Sequence, residues 1–116
     1  TRASVDGAAD MIASDIRYAQ ECAMANRVSK SITFTLNQNF YTFPATVPST
    51  SSLDPSGRLP SGVSISSATY TLIFNSLGEP TSIPAVSPYY VELTASAGAL
   101  TKTIRIWCFT GKVTIL

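Results

Sequence analysis

The chain of 116 residues contains no histidine, which removes the commonest general base and the commonest zinc ligand. Serine is abundant, but without histidine no Ser-His-Asp triad can be assembled, and no Gly-x-Ser-x-Gly elbow occurs. Charged side chains make up only 13% of the residues and sum to +1, too little of one sign to gather a polyanion over the whole surface. No run reaches the ~18 apolar residues of a membrane span, and Thr1-Arg2-Ala3-Ser4-Val5-Asp6 lacks the apolar core of a signal peptide. The seven carboxylates are Asp6, Asp10, Asp15, Glu21, Asp54, Glu79 and Glu92. They are scattered, and four belong to one helical segment, so no acid and base pair is placed by spacing. The sequence thus predicts no catalytic residue, no cofactor, no metal site and no small-molecule substrate. A carbohydrate-binding module with a Ser/Thr-rich surface stays open as a competing class, to be decided by whatever precedes Thr1.

What is present is a change of period along the chain. Val5, Ile12, Ile16, Ala19 and Ala23 fall on one stripe at helical spacing, and no proline interrupts residues 3 to 27, which predicts a helix there. Asp6, Asp10 and Asp15 in its first half, with Arg27 and Lys30 at or past its end, match the helix dipole. Arg17 and Glu21 are placed for an i,i+4 pair. At 1.5 Å per residue such a helix is about 37 Å long, more than a small sheet covers, so its N-terminal end is expected to project. A helix that opens at the first residue also reads as the continuation of a longer one.

After Ser29 the period becomes two. Ile32, Phe34 and Leu36 alternate with Ser31, Thr33 and Thr35, Asn37-Gln38-Asn39 turns the chain, and Phe40-Tyr41-Thr42-Phe43 completes a hairpin. Residues 44 to 62, rich in Pro, Ser and Thr, read as a long surface loop. Strands are predicted at residues 63 to 66 and 69 to 75, with Gly78 turning the chain. Residues 83 to 88 form a second loop. A hairpin of residues 89 to 94 and 100 to 109 and a final strand at residues 112 to 116 complete the reading. The fold class is α+β in a single domain, with residues 1 to 28 the helix and residues 29 to 116 antiparallel sheet laid on it.

Two cysteines occur. In the long strand Ile104, Ile106 and Cys108 share one face, while Cys22 lies about 80° from the centre of the helical stripe, so a Cys22–Cys108 bond is within reach. Two buried free thiols are the alternative.

Three segments carry a resemblance: Ser14-Asp15-Ile16-Arg17-Tyr18-Ala19-Gln20-Glu21-Cys22-Ala23-Met24-Ala25-Asn26-Arg27, then Leu72-Ile73-Phe74-Asn75-Ser76-Leu77-Gly78-Glu79-Pro80, then Thr110-Gly111-Lys112-Val113. In this order and over this length the chain resembles the GspH/FimT family of minor pseudopilins and minor type IV pilins. The resemblance implies a pilin-like fold in a protein that does no chemistry. It implies a prepilin leader and a hydrophobic half-helix ahead of Thr1, anchoring this domain to the periplasmic side of a bacterial inner membrane. The partners implied are other major and minor pilins or pseudopilins of a type IV pilus or a type II secretion pseudopilus. Met11 and Tyr18, off the main stripe, are the candidates for contact with a neighbouring subunit. Some members bind DNA during natural transformation through a Gly-Arg-x-Arg pattern, which falls here on Gly111-Lys112-Val113-Thr114. Lys112 lacks the guanidinium fork and Thr114 lacks charge. Lys102, Arg105 and Lys112 remain as candidates for a weak, salt-sensitive phosphate patch.

Overall fold

The computed structural model describes residues 1–43 and 57–116. The first part of the predicted 44 to 62 loop lies outside the described residues. Within residues 57 to 62 the backbone is irregular, and Leu59 is buried in the core.

Helix α1 (Arg2–Asn26) opens on Thr1, whose Oγ1 accepts from the Ser4 amide at 3.1 Å, and closes on Arg27 in the left-handed conformation, φ 54°. The cap residue supplies the oxygen that an otherwise unpaired first-turn amide needs. All five residues of the predicted stripe are fully buried, joined by Ala8, Ala9, Ala13 and Asp15. Five of these nine are alanine, which lets the sheets lie close to the helix axis. The expected dipole arrangement is not realised, since the first turn has no acid and the last turn no base. Nor does Arg17 turn to Glu21: its Nη2 reaches across to the Val113 carbonyl at 3.4 Å.

The strands are β1 (Lys30–Phe34), β2 (Tyr41–Thr42), β3 (Ser64–Ile65), β4 (Tyr70–Phe74), β5 (Tyr90–Ala97), β6 (Leu100–Trp107) and β7 (Val113–Ile115). They form two antiparallel sheets, ordered β2-β1-β4 and β3-β5-β6-β7. Ile32 and Phe34 point inward from β1, Leu72 and Phe74 from β4, Leu93 and Ala95 from β5, and Ile104 and Ile106 from β6. These are the period-two positions, buried because one face of each sheet meets the helix. Leu36 lies outside β1 and is exposed. Lys30 takes the first inward position of β1 and is buried, so it is a sheet residue and not a helix-terminal charge. The β5–β6 hairpin is tighter than predicted: Ala97 pairs with Leu100, and Gly98, at φ 62°, supplies the left-handed residue of a two-residue turn.

The N-terminal end of the helix does not project. Burial begins at Val5 because β6 runs alongside α1, with Lys102 beside Asp6 near one end and the Thr110 carbonyl at Gln20 near the other. An eight-residue strand at about 3.4 Å per residue spans most of a helix of this length, which a single short sheet could not do.

Candidate interaction surface

The three segments that carry the sequence resemblance meet in space around one side chain. Gln20 Nε2 donates to the Gly78 carbonyl at 2.8 Å and to the Thr110 carbonyl at 2.9 Å. A single amide thereby ties the helix to the turn after β4 and to the connection between β6 and β7. The approach is close at both points. A Cβ on Gly78 would stand 2.8 Å from Met24 Sδ, and one on Gly111 would stand 2.8 Å from Gln20 Nε2 and 2.9 Å from Phe74 Cε1. Both glycines also have positive φ, 80° and 70°. Only glycine fits these positions at low cost. Asn75 fixes the turn: its Oδ1 accepts from the amides of Leu77 and Glu79 at 3.0 and 2.9 Å, while its Nδ2 donates to Glu79 Oε1 at 2.8 Å. The pattern Asn75-Ser76-Leu77-Gly78-Glu79 is a structural clasp, visible in sequence as a motif, whose purpose only the fold reveals.

The clasp presents apolar side chains to solvent. Leu77 is 74% exposed at the apex of the turn, with Met24 and Val28 exposed beside the helix terminus. Met24, Arg27, Ser76 and Leu77 line a groove of about 510 Å³. Elsewhere Phe109, 64% exposed, stacks on Tyr89 at 6.4 Å. On the outer face of the larger sheet Arg105 donates twice to Glu92 Oε2, at 2.9 and 2.7 Å, and lies 4.0 Å over the ring of Tyr90, itself edge-on to Trp107 at 5.0 Å.

The residues proposed as a phosphate patch are not brought together. Lys102 points toward the helix, 3.7 Å from Asp6, whereas Arg105 occupies the opposite face of β6 and is held by Glu92. Alternation along the strand forces that separation. Lys112 is exposed and stands opposite Trp107, on the outer face with Arg105, so it too is separated from Lys102 by the sheet. The expected Cys22–Cys108 bond is not formed either. Both thiols are free, and Cys108 directs its Sγ to the Ile83 carbonyl at 3.7 Å. Strand β6 ends at Trp107, and Cys108, the first residue of the turn, stays on the buried face with Ile104 and Ile106 but meets the Ile83 carbonyl there. Met11 is partly buried against the core, and Tyr18 meets Phe43 edge-on at 6.4 Å. Both candidate subunit contacts are thus engaged within the domain. Sequence reasoning missed Asp15, which is fully buried and accepts from the Tyr41 hydroxyl. It also missed Gln20, whose amide gives no signal in a hydropathy pattern.

Three comparisons bear on this arrangement. A family model described as "Putative Ig domain" matches residues 16–107, and over that span the chain belongs to the family. The match begins inside α1 and ends with β6, so it describes chiefly the strands. An immunoglobulin sandwich closes sheet against sheet, whereas here a helix carrying nine buried residues fills the core. The architecture is instead that of a minor pilin: the crystal structure of the type IV minor pilin FimU of Pseudomonas aeruginosa superposes with a TM-score of 0.68 at 17% identity, covering 99% of this chain and 90% of that one. The α+β, pilin-like fold class holds. No curated protein matches the chain in sequence.

Proposed function

We propose, from the premise of a minor-pilin-like fold, that this domain is a non-enzymatic structural subunit of a type IV pilus or of a type II secretion pseudopilus, acting in the complex that initiates the filament. The observation that carries the reading is the long helix laid under two antiparallel sheets, a likeness to FimU that covers nearly the whole chain. A helix of this kind has two faces with different tasks. Val5, Ile12, Ile16 and Ala23 secure the sheets, while Asp10, Ser14, Glu21 and Ala25 stay exposed and available to neighbouring subunits. In this reading the domain sits in the periplasm of a bacterial cell. No helix among the described residues is long and apolar enough to cross a membrane; in this reading the anchor is the hydrophobic half-helix that the family resemblance implies. Its partners are other major and minor pilins or pseudopilins, and the exposed clasp with Leu77 is the surface offered to them. DNA uptake is the weaker alternative, because Lys102 and Arg105 lie on opposite faces and each is paired with a carboxylate.

The test is deletion of the gene in the producing bacterium, scored by electron microscopy for surface filaments and by assay of secreted proteins. Loss of filaments with secretion intact assigns the type IV pilus, and the converse assigns the pseudopilus. Intact filaments together with intact secretion would refute the reading. Fluorescence anisotropy of labelled double-stranded DNA, with Lys112→Ala as control, separates the alternative: salt-sensitive binding that weakens in the variant would support it.

A further inference from the structure

The four outer sheet edges are not treated alike. Beside β2, Gly57 accepts from the Tyr41 amide and Leu59 donates to the Asn39 carbonyl. Beside β4, the Thr81 amide donates to the Ile73 carbonyl, Ser82 Oγ accepts from the Ile73 amide, and Pro80 bridges to Phe74. Beside β3, the Ile65 carbonyl accepts from the Asn37 amide and the Ile65 amide donates to the Gln38 carbonyl. Each of these edges carries the chain's own backbone or side-chain groups along part or all of its length, Thr71 of β4 being left without one among the described residues. Strand β7 differs. The Trp107 amide bonds to the Lys112 carbonyl and the Leu116 amide to the Thr103 carbonyl, and Arg105 pairs with Thr114. The Lys112 carbonyl and the backbone groups of residues 114 and 116 therefore face β6, while the Lys112 amide donates to Thr110 Oγ1, and by antiparallel alternation Val113 and Ile115 turn theirs outward. Among the described residues this outer row meets only Arg17 Nη2, 3.4 Å from the Val113 carbonyl.

We infer that the free edge of β7 is an acceptor site for an extended strand of a neighbouring, non-identical filament subunit. The inference rests on the filament reading above. Unpaired strand edges are templates for strand addition, and natural proteins cover those they do not use. The partner is a different subunit because the opposite edge of the same sheet, β3, is closed by residues 37 and 38, so a second copy has no complementary edge to offer side by side. Pairing β7 with the β7 of a second copy about a two-fold axis would use both edges up in a closed dimer, which does not propagate into a filament.

The experiment compares Ile115→Pro with Ile115→Ala in the full-length protein expressed in its own bacterium, with the purified domains checked by thermal unfolding. Both variants shorten the same side chain, but only proline removes the outward amide, and an outward-facing N–H on an edge strand is the position where proline is tolerated. Expected is a loss of surface filaments or secretion of about tenfold in Ile115→Pro relative to Ile115→Ala, the worth of one or two main-chain hydrogen bonds. Equal output from the two variants, whether high or low, would overturn the inference. A benzophenone attached to Thr114→Cys, which leaves the β6 ladder intact, gives a second readout independent of how the proline variant folds. A crosslink in purified filaments to a filament subunit of different mass supports the site, and a crosslink only to this protein overturns it. A gene deletion that leaves filaments and secretion intact removes the reading itself, a failure distinct from equal variants in a strain whose deletion has a phenotype.

Discussion

Replacing Gln20 by alanine tests whether the clasp is a stabilising joint. The substitution deletes two hydrogen bonds, at 2.8 and 2.9 Å, and leaves the Gly78 carbonyl, on a buried residue, without its side-chain donor. At a net ~1 kcal/mol for each bond, less the few tenths by which alanine improves helix propensity, the loss is about 1.5 to 2 kcal/mol. For a domain of this size that lowers Tm by roughly 6 to 10 °C and moves the urea midpoint while leaving the m-value unchanged. Gln20→Glu sharpens the test. At neutral pH its carboxylate donates nothing and faces two carbonyl oxygens, so this variant is expected to fall below Gln20→Ala. The same repulsion raises the new carboxyl's pKa in the folded state above its unfolded value of about 4.3. Stability is then lost as pH rises through that interval, and the gap between the two variants narrows on acidification to about pH 4. Equilibrium urea unfolding at several pH values measures all of this. A Gln20→Ala variant within about 0.3 kcal/mol of the parent, or a Gln20→Glu variant no worse than alanine at pH 7, would refute the clasp, given that a real bond to a buried carbonyl costs more to remove.

Other outcomes follow from named contacts. Gly78→Ala combines a positive φ with a Cβ 2.8 Å from Met24 Sδ, and urea unfolding is expected to show a loss of about 1 to 3 kcal/mol, partly recovered by adding Met24→Ala. Phe34, fully buried between Tyr41 and the core, is expected to cost about 3 to 5 kcal/mol on truncation to alanine. Tyr70 has its pKa raised above the ordinary 10.0, chiefly by burial, with the Ser82 hydrogen bond pulling the other way. The unfolded chain therefore releases this proton first, so stability is intact below pH 10 and declines above it; Tyr70→Phe should flatten that alkaline decline in the urea midpoint. Thiol titration of the unfolded, unreduced protein should count two free groups, and in the native state Cys22 should react before the more buried Cys108.

Local pattern was enough for the helix, for the inward positions of β1, β4 and β6, and for the antiparallel character of the sheets. Periodicity is imposed by burial of one face, so Val5, Ile12, Ile16, Ile32, Phe34, Leu72, Phe74, Ile104 and Ile106 declare themselves as core before any coordinates are known. The same logic has no access to distances between elements. It could place Cys22 and Cys108 near one flank but could not show that the second thiol meets the Ile83 carbonyl and not the first. It grouped Lys102 and Arg105 with Lys112 of the neighbouring strand as one patch, although alternation sends the first two to opposite faces and partners them with Asp6 and Glu92. The division into two sheets, the burial of the helix from Val5 to Ala23 on one face, the convergence of three distant motifs on Gln20 and the open edge of β7 among the described residues are all set by long-range backbone pairing. Hydropathy is a one-body property that each residue carries by itself, whereas a hydrogen bond between residues 58 or 90 positions apart in the chain exists only once the chain has closed on itself.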